Sequence, residues 1–193
     1  NQKENSHVNV SGITLHNGLT RNNYKFRLLG EYAEAHIGGL AVSDKGQHTD
    51  NFALLDHATP NCHSNELFKY VLQDESVGVF CGKILVEIDA QKTLAYQDNK
   101  NLLASKNARM YSKPQLEIYA DDVKCSHGLT TGHIDEEALY YLQARGISEK
   151  EARMMLMVAF TSQVVDMIRI EALKEHLNSL IDKRFRGKLS IPG

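Results

Sequence analysis

The feature that most constrains the fold is the absence of any sustained helical period from residue 1 to about residue 118. In its place stand short β-like runs, among them Tyr24–Leu29, Ala35–Val42, Leu67–Leu72, Gly78–Ile88 and Lys92–Gln97. Turn formers separate them: Asn17-Gly18, Asn22-Asn23, Asp44-Lys45-Gly46, Asp74-Glu75-Ser76 and Asp98-Asn99-Lys100. Short strands without intervening helices mean an all-β architecture, which leaves a sandwich, a barrel or a stacked solenoid. Polar residues inside the runs, such as His36, Asn51, His57 and Gln97, suit side-chain ladders on successive coils of a solenoid. No strict repeat is visible, which counts the other way. Sequence physics leaves solenoid and sandwich level.

The period changes at residue 135. Asp135 fits an N-cap ahead of Glu136 and Glu137, and Arg145 followed by Gly146 fits a helix stop. Ser148 and Glu151 form a capping box for a second helix rich in Met154, Met155 and Met157. Thr161-Ser162 marks a break, and helical spacing resumes to about Phe185. The charged residues from Arg169 to Arg186 read as a solvated face. The predicted division is a β core over 1–133, a helical unit over 134–186 and a disordered tail over 187–193.

With 193 residues the chain has ample length for a buried core. A net charge of −2 provides no footprint for nucleic acid or anionic membrane. No apolar run is long enough to span a bilayer. The three cysteines, Cys62, Cys81 and Cys125, form no C-x-x-C and point to a reducing cytoplasm. The polar opening NQKENSHVNV, without Met, is expected of a piece of a longer protein.

The densest chemistry lies in Tyr119–Gly132, YADDVKCSHGLTTG. Cys125 and His127 are two apart, so an extended backbone points both to one side, with Lys124 and Ser126 on the other. A thiolate beside an imidazole suits a transition metal or an iron–sulfur species, and equally a thiol nucleophile with its base. A half-buried cysteine near a surface histidine is the plainer reading. A second polar cluster, His57, Cys62 and His63 around Pro60, is either a metal or thiol site or a hydrogen-bonded turn. Cys81 reads as a small buried hydrophobe. Phosphate-binding, nucleophile-elbow, dinucleotide and zinc-protease motifs are all missing, and nothing is built for chemistry on a small substrate.

The stretches Lys113–Gly128 and Thr130–Ile147, with His57–Ser64 and Val77–Ser105 upstream, resemble the SufB/SufD family of iron–sulfur cluster assembly proteins. The resemblance implies a right-handed parallel β-helix followed by a small C-terminal α-helical domain. It implies a non-catalytic scaffold that pairs with a SufB-like paralogue, or with itself when isolated, and docks a SufC-like ABC ATPase in a SufBCD complex. Within the family the chain looks like the SufD type, because Ser126 and Gly128 stand where SufB-type chains carry acids. By resemblance His127, with Cys125, contributes to a transient iron or iron–sulfur site shared with the partner subunit. Tyr140, Tyr141, Arg145 and Gly146 are the expected ATPase-docking residues. The alternatives are an interaction solenoid without a metal role, a thiol enzyme using Cys125 and His127, and a polysaccharide-acting solenoid. The last is disfavoured by the absence of Trp.

Overall fold

Side chains alternate between an interior and a surface along strands of eight to ten residues, most of them longer than the sequence runs predict. The computed structural model describes residues 1–15 and 18–187, so Asn17 and the predicted tail from residue 188 lie outside the described residues. Among the described residues the strands are β1 His7–Thr14, β2 Leu19–Leu28, β3 Glu34–Ser43, β4 His48–His57, β5 His63–Leu72, β6 Val77–Val86, β7 Leu94–Leu103, β8 Arg109–Ile118 and β9 Lys124–His133. Odd strands pair in parallel in the order β1-β3-β5-β7-β9, and even strands as β2-β4-β6-β8. The chain is therefore a parallel β-solenoid, with each coil returning to register after roughly thirty residues.

The coils share a backbone corner. Asn5, Tyr32, Asn61 and Lys92 all take a left-handed conformation, each two residues before an odd strand. Three residue types at four equivalent positions explain why the repeat escapes the sequence. The expected turns at Lys45 and Asp74 form a second corner, tied across coils by the Lys45 amide donating to Asp74 Oδ2 at 3.0 Å.

Inside the coil Phe68 and Phe80 pack with ring centroids 4.9 Å apart, among Ile37, Leu55 and Ile84. Asn22 donates to Asn51 at 2.8 Å, a true ladder of like residues. Asn51 then donates to the buried Tyr70 hydroxyl at 2.6 Å. Elsewhere unlike residues stack: His36 lies between Asn9 and Asn65, and Gln97 between Glu66 and His127. Cys81 is not fully buried as predicted. It sits half-exposed on the outward-facing positions of β6, opposite Phe52 and Lys113.

Three helices follow, α1 Glu136–Ala144, α2 Glu149–Val165 and α3 Glu171–Phe185. Asp135 caps α1 by accepting from the Glu137 and Ala138 amides, Ser148 caps α2, and Gly146 ends α1 at φ 86°. The predicted break at Thr161-Ser162 does not occur. Both hydroxyls donate to carbonyls three residues back within α2, and the chain leaves the helix after Val165.

The helices build no core of their own. Met154, Met157, Val164, Val165 and Ile181 share one apolar cluster with Leu40, Val42, Leu67, Val71 and Leu102 of the odd-strand sheet. Polar locks reinforce it: Lys69 Nζ donates to the Phe160 carbonyl at 2.8 Å and to Gln163 at 3.0 Å. Arg184 departs from the expected solvated face. It is 8% exposed, pairs with Asp44 at 2.6 Å, and donates to Gln47 and the Leu15 carbonyl. The helices thus cover the C-terminal halves of β3, β5 and β7 and leave Glu34, His36 and His63 uncovered.

Candidate functional site

The densest sequence motif lies on β9, the last strand of its sheet among the described residues. In register, Cys125 lies on Ala95 and His127 on Gln97, both inward positions of β7, so the two side chains share a side as the spacing predicts. Cys125 is half-buried against the interior cluster. Burial pushes its thiol above the ordinary value, and a hydrogen bond with the Ala95 backbone only partly offsets this. The thiol form therefore prevails at neutral pH, which disfavours an activated nucleophile. His127 is exposed, because no further strand of the described chain stacks on β9.

A polar column runs beneath His127. Gln97 lies under it, and Glu66 lies under Gln97 and accepts a hydrogen bond from its amide at 3.1 Å. Glu66 is fully buried, and desolvation pushes its carboxyl up to about 7 despite the bond from Gln97. Neither Glu66 in the loop-free interior nor its stacking under the motif is legible from residue spacing, since the two lie two coils apart. Gly128, beside His127, leaves room for the Asp98 carboxylate on the neighbouring strand, which a Cβ there would displace. An acidic residue at 128 would also set two carboxylates together.

His57, Cys62 and His63 do not converge. His57 is buried and bonded to Ser64 Oγ at 2.9 Å, and burial lowers its pKa to about 4, with His63 adding to the shift. Cys62 is buried, its thiol donating to the Gly30 carbonyl at 3.4 Å. His63 turns instead toward His36 on β3, with ring centroids 5.6 Å apart and edge to face. Burial lowers its pKa, as does His36. Among the described residues, three potential metal ligands come within 4.8 Å of one another only at Glu34, His36 and His63. The sequence singled out both histidines but missed Glu34 and their meeting, because the register that joins β3 to β5 is not encoded locally.

Tyr140 and Tyr141 are exposed on α1, and the Arg145 guanidinium lies 4.4 Å from the Tyr141 ring centroid. No described helix is long and apolar enough to cross a membrane.

Comparison with known proteins agrees with this architecture. Residues 1–160 match the family model described as "SUF system FeS cluster assembly, SufBD core domain". The iron–sulfur cluster assembly protein SufD of Escherichia coli is 40% identical over 169 residues, covering 88% of this chain and 40% of that protein. An iron–sulfur cluster assembly SufBD family protein of Mycobacterium leprae is 34% identical over 178 residues, covering 88% of this chain and 45% of its own. SufD of Bacillus subtilis is 32% identical over 146 residues, covering 75% of this chain and 33% of its own. The chain spans less than half the length of these curated relatives. It belongs to the SufBD family of iron–sulfur cluster assembly proteins.

Proposed function

We propose that this chain is part of a SufD-type scaffold subunit, without catalytic activity of its own, acting in the cytoplasm. It pairs with a SufB-like paralogue and docks a SufC-like ABC ATPase through the helical unit. The observation that carries the reading is His127, held exposed at the uncovered strand β9 while its neighbour Cys125 stays protonated. Among the described residues no group of three potential ligands includes His127, which fits a site completed by another subunit. The iron or iron–sulfur cluster there is cargo in transit, and the missing thiolate comes from the paralogue.

The face of α1 carrying Tyr140, Tyr141 and Arg145 supports the docking role. It offers two exposed aromatic rings and a stacked cation outside the shared core. A second reading, an interaction solenoid with no metal role, is favoured by the half-buried, protonated Cys125. Complex formation tests the partners, and a His127 variant then separates the two readings. Size exclusion with light scattering is run on the chain alone and after mixing with the SufB-like and SufC-like proteins of the same source. The scaffold reading expects a larger species containing all three, and a chain that ignores both partners overturns it. His127→Ala should then abolish cluster assembly in cells while the ternary species persists. Normal complementation by that variant leaves the interaction module.

A further inference from the structure

The helices leave uncovered a cell of the odd-strand sheet that no part of the scaffold reading uses. Glu34 and His36 are two apart on β3 and share its outer face, and His63 lies directly across from Glu34 on β5. Parallel register thus brings three side chains to the corners of one ladder cell, where neighbouring strands are about 4.8 Å apart. The donor atoms of all three lie within 4.8 Å of one another, and His36 Nε2 is 3.8 Å from Glu34 Oε2. His7 Nδ1, from β1, sits 3.0 Å from the same carboxylate oxygen and orients it. Tyr96 packs edge-on against the far side of His63, with centroids 6.2 Å apart.

We propose that Glu34, His36 and His63 form a binding site for a borderline divalent transition ion such as Zn²⁺ or Fe²⁺. Two imidazoles and one carboxylate suit such an ion. Mg²⁺ and Ca²⁺ prefer all-oxygen shells, and Cu⁺ prefers sulfur. All three donors sit on adjacent rungs of a rigid sheet, so small side-chain rotations close them on a common centre at about 2 Å. A three-ligand set leaves a coordination position open to water or an exchanging ligand. His36 also borders a groove of about 350 Å³ lined by Asn65, Asp98, Met167 and Arg169, which gives that position access to solvent. The site stands apart from His127: it faces outward from β3 and β5, whereas His127 occupies an inward register position on β9.

Titration of the whole chain with Zn²⁺ by calorimetry, and with Co²⁺ by its visible absorption, tests the assignment. The expected result is one tight equivalent, with a Co²⁺ spectrum of four- or five-coordinate type. His36→Ala and His63→Ala should each weaken binding at least tenfold, Glu34→Gln comparably, and His7→Ala by a smaller factor. All four positions are surface-facing, and circular dichroism checks that each variant keeps the fold. Binding unchanged by His36→Ala and His63→Ala overturns the site, as does weak multi-site binding typical of scattered histidines. Loss on His127→Ala with none on His36→Ala moves the metal to β9, and so overturns this site while supporting the scaffold reading.

Discussion

Glu66 and Gln97 meet inside the coil, the carboxylate accepting from the amide at 3.1 Å, on the rungs directly below His127. One carboxylate oxygen of Glu66 and the carbonyl oxygen of Gln97 have no further partner among the described residues. A protonated Glu66 satisfies this arrangement better than an ionised one, because a buried carboxylate without a counter-charge is strongly disfavoured.

The consequence is a pH dependence with a definite sign. The carboxyl moves from 4.5 to about 7 on folding, so the folded state holds a proton that the unfolded state releases between those values. That stability is fully present below pH 4.5 and lost as pH rises to about 7. The shift corresponds to roughly 3 kcal/mol. Glu66→Gln, uncharged at all pH values, should remove this loss. Urea unfolding of both forms at pH 5 and pH 8 checks it, and equal pH dependence in the two would refute the assignment.

His57 works in the opposite direction. Its pKa falls from 6.5 to about 4 because burial disfavours the imidazolium. The unfolded state binds the proton first, so stability present above pH 6.5 is lost as pH falls through about 4. In the native chain the two groups oppose each other across overlapping windows. Glu66→Gln should therefore unmask a steeper acid loss, again on the order of 3 kcal/mol. His57→Gln in that background should flatten the curve, which a pH series of thermal melts would reveal.

Gly39 is fixed by Phe68. A Cβ at that position would clash with the edge of the ring, which is buried and already packed on Phe80. Gly39→Ala should cost about 1–3 kcal/mol through overpacking. Gly46→Ala, where a Cβ meets nothing within 4 Å, is the control and should be near neutral. Equal denaturant midpoints for the two variants would contradict the packing argument.

Much of this architecture was legible at the level of element type, and the reasons for the gaps are physical. The caps Asp135 and Ser148 and the stop at Gly146 are local signals and appear as expected. The coil repeat is not local. Its corners are defined by backbone angle and accept Asn, Tyr or Lys, and its interior accepts Asn51, Gln97, Asn99 and Asn101 wherever register supplies a partner. Those polar interiors make ten-residue strands read as short runs, and β8 runs unbroken through Pro114, a residue that argues against a strand in sequence. Arg184 reads as a surface residue in sequence because its partners Asp44 and Gln47 are distant along the chain.

Arg184 also sets how firmly α3 is held. Its guanidinium is buried with Asp44, Gln47 and the Leu15 carbonyl. Arg184→Ala leaves Asp44 without its cation and should destabilise the chain by about 3–5 kcal/mol. Amide exchange should accelerate across 171–185 more than in β5 or β6, since local opening follows the weakest docking. Uniform acceleration throughout would mean that the helices and the coil unfold as one unit.

The exposed face of α1 gives the last test. Arg145 stacks on Tyr141, and Tyr140 stands beside it with most of its side chain in solvent. None of the three belongs to the shared core, so substitution should leave stability within about 0.5 kcal/mol. If this face receives the ATPase, Tyr140→Ala and Arg145→Glu should each weaken capture of the SufC-like protein at least tenfold. That is the effect of losing an aromatic or arginine anchor at an interface centre. Pairing with the SufB-like paralogue should be unaffected, because the contact proposed for it lies at β9 and not on α1. Retained capture by both variants would move the ATPase contact off α1, and loss of both partners together would mean that the helix, and not an interface, had been disturbed.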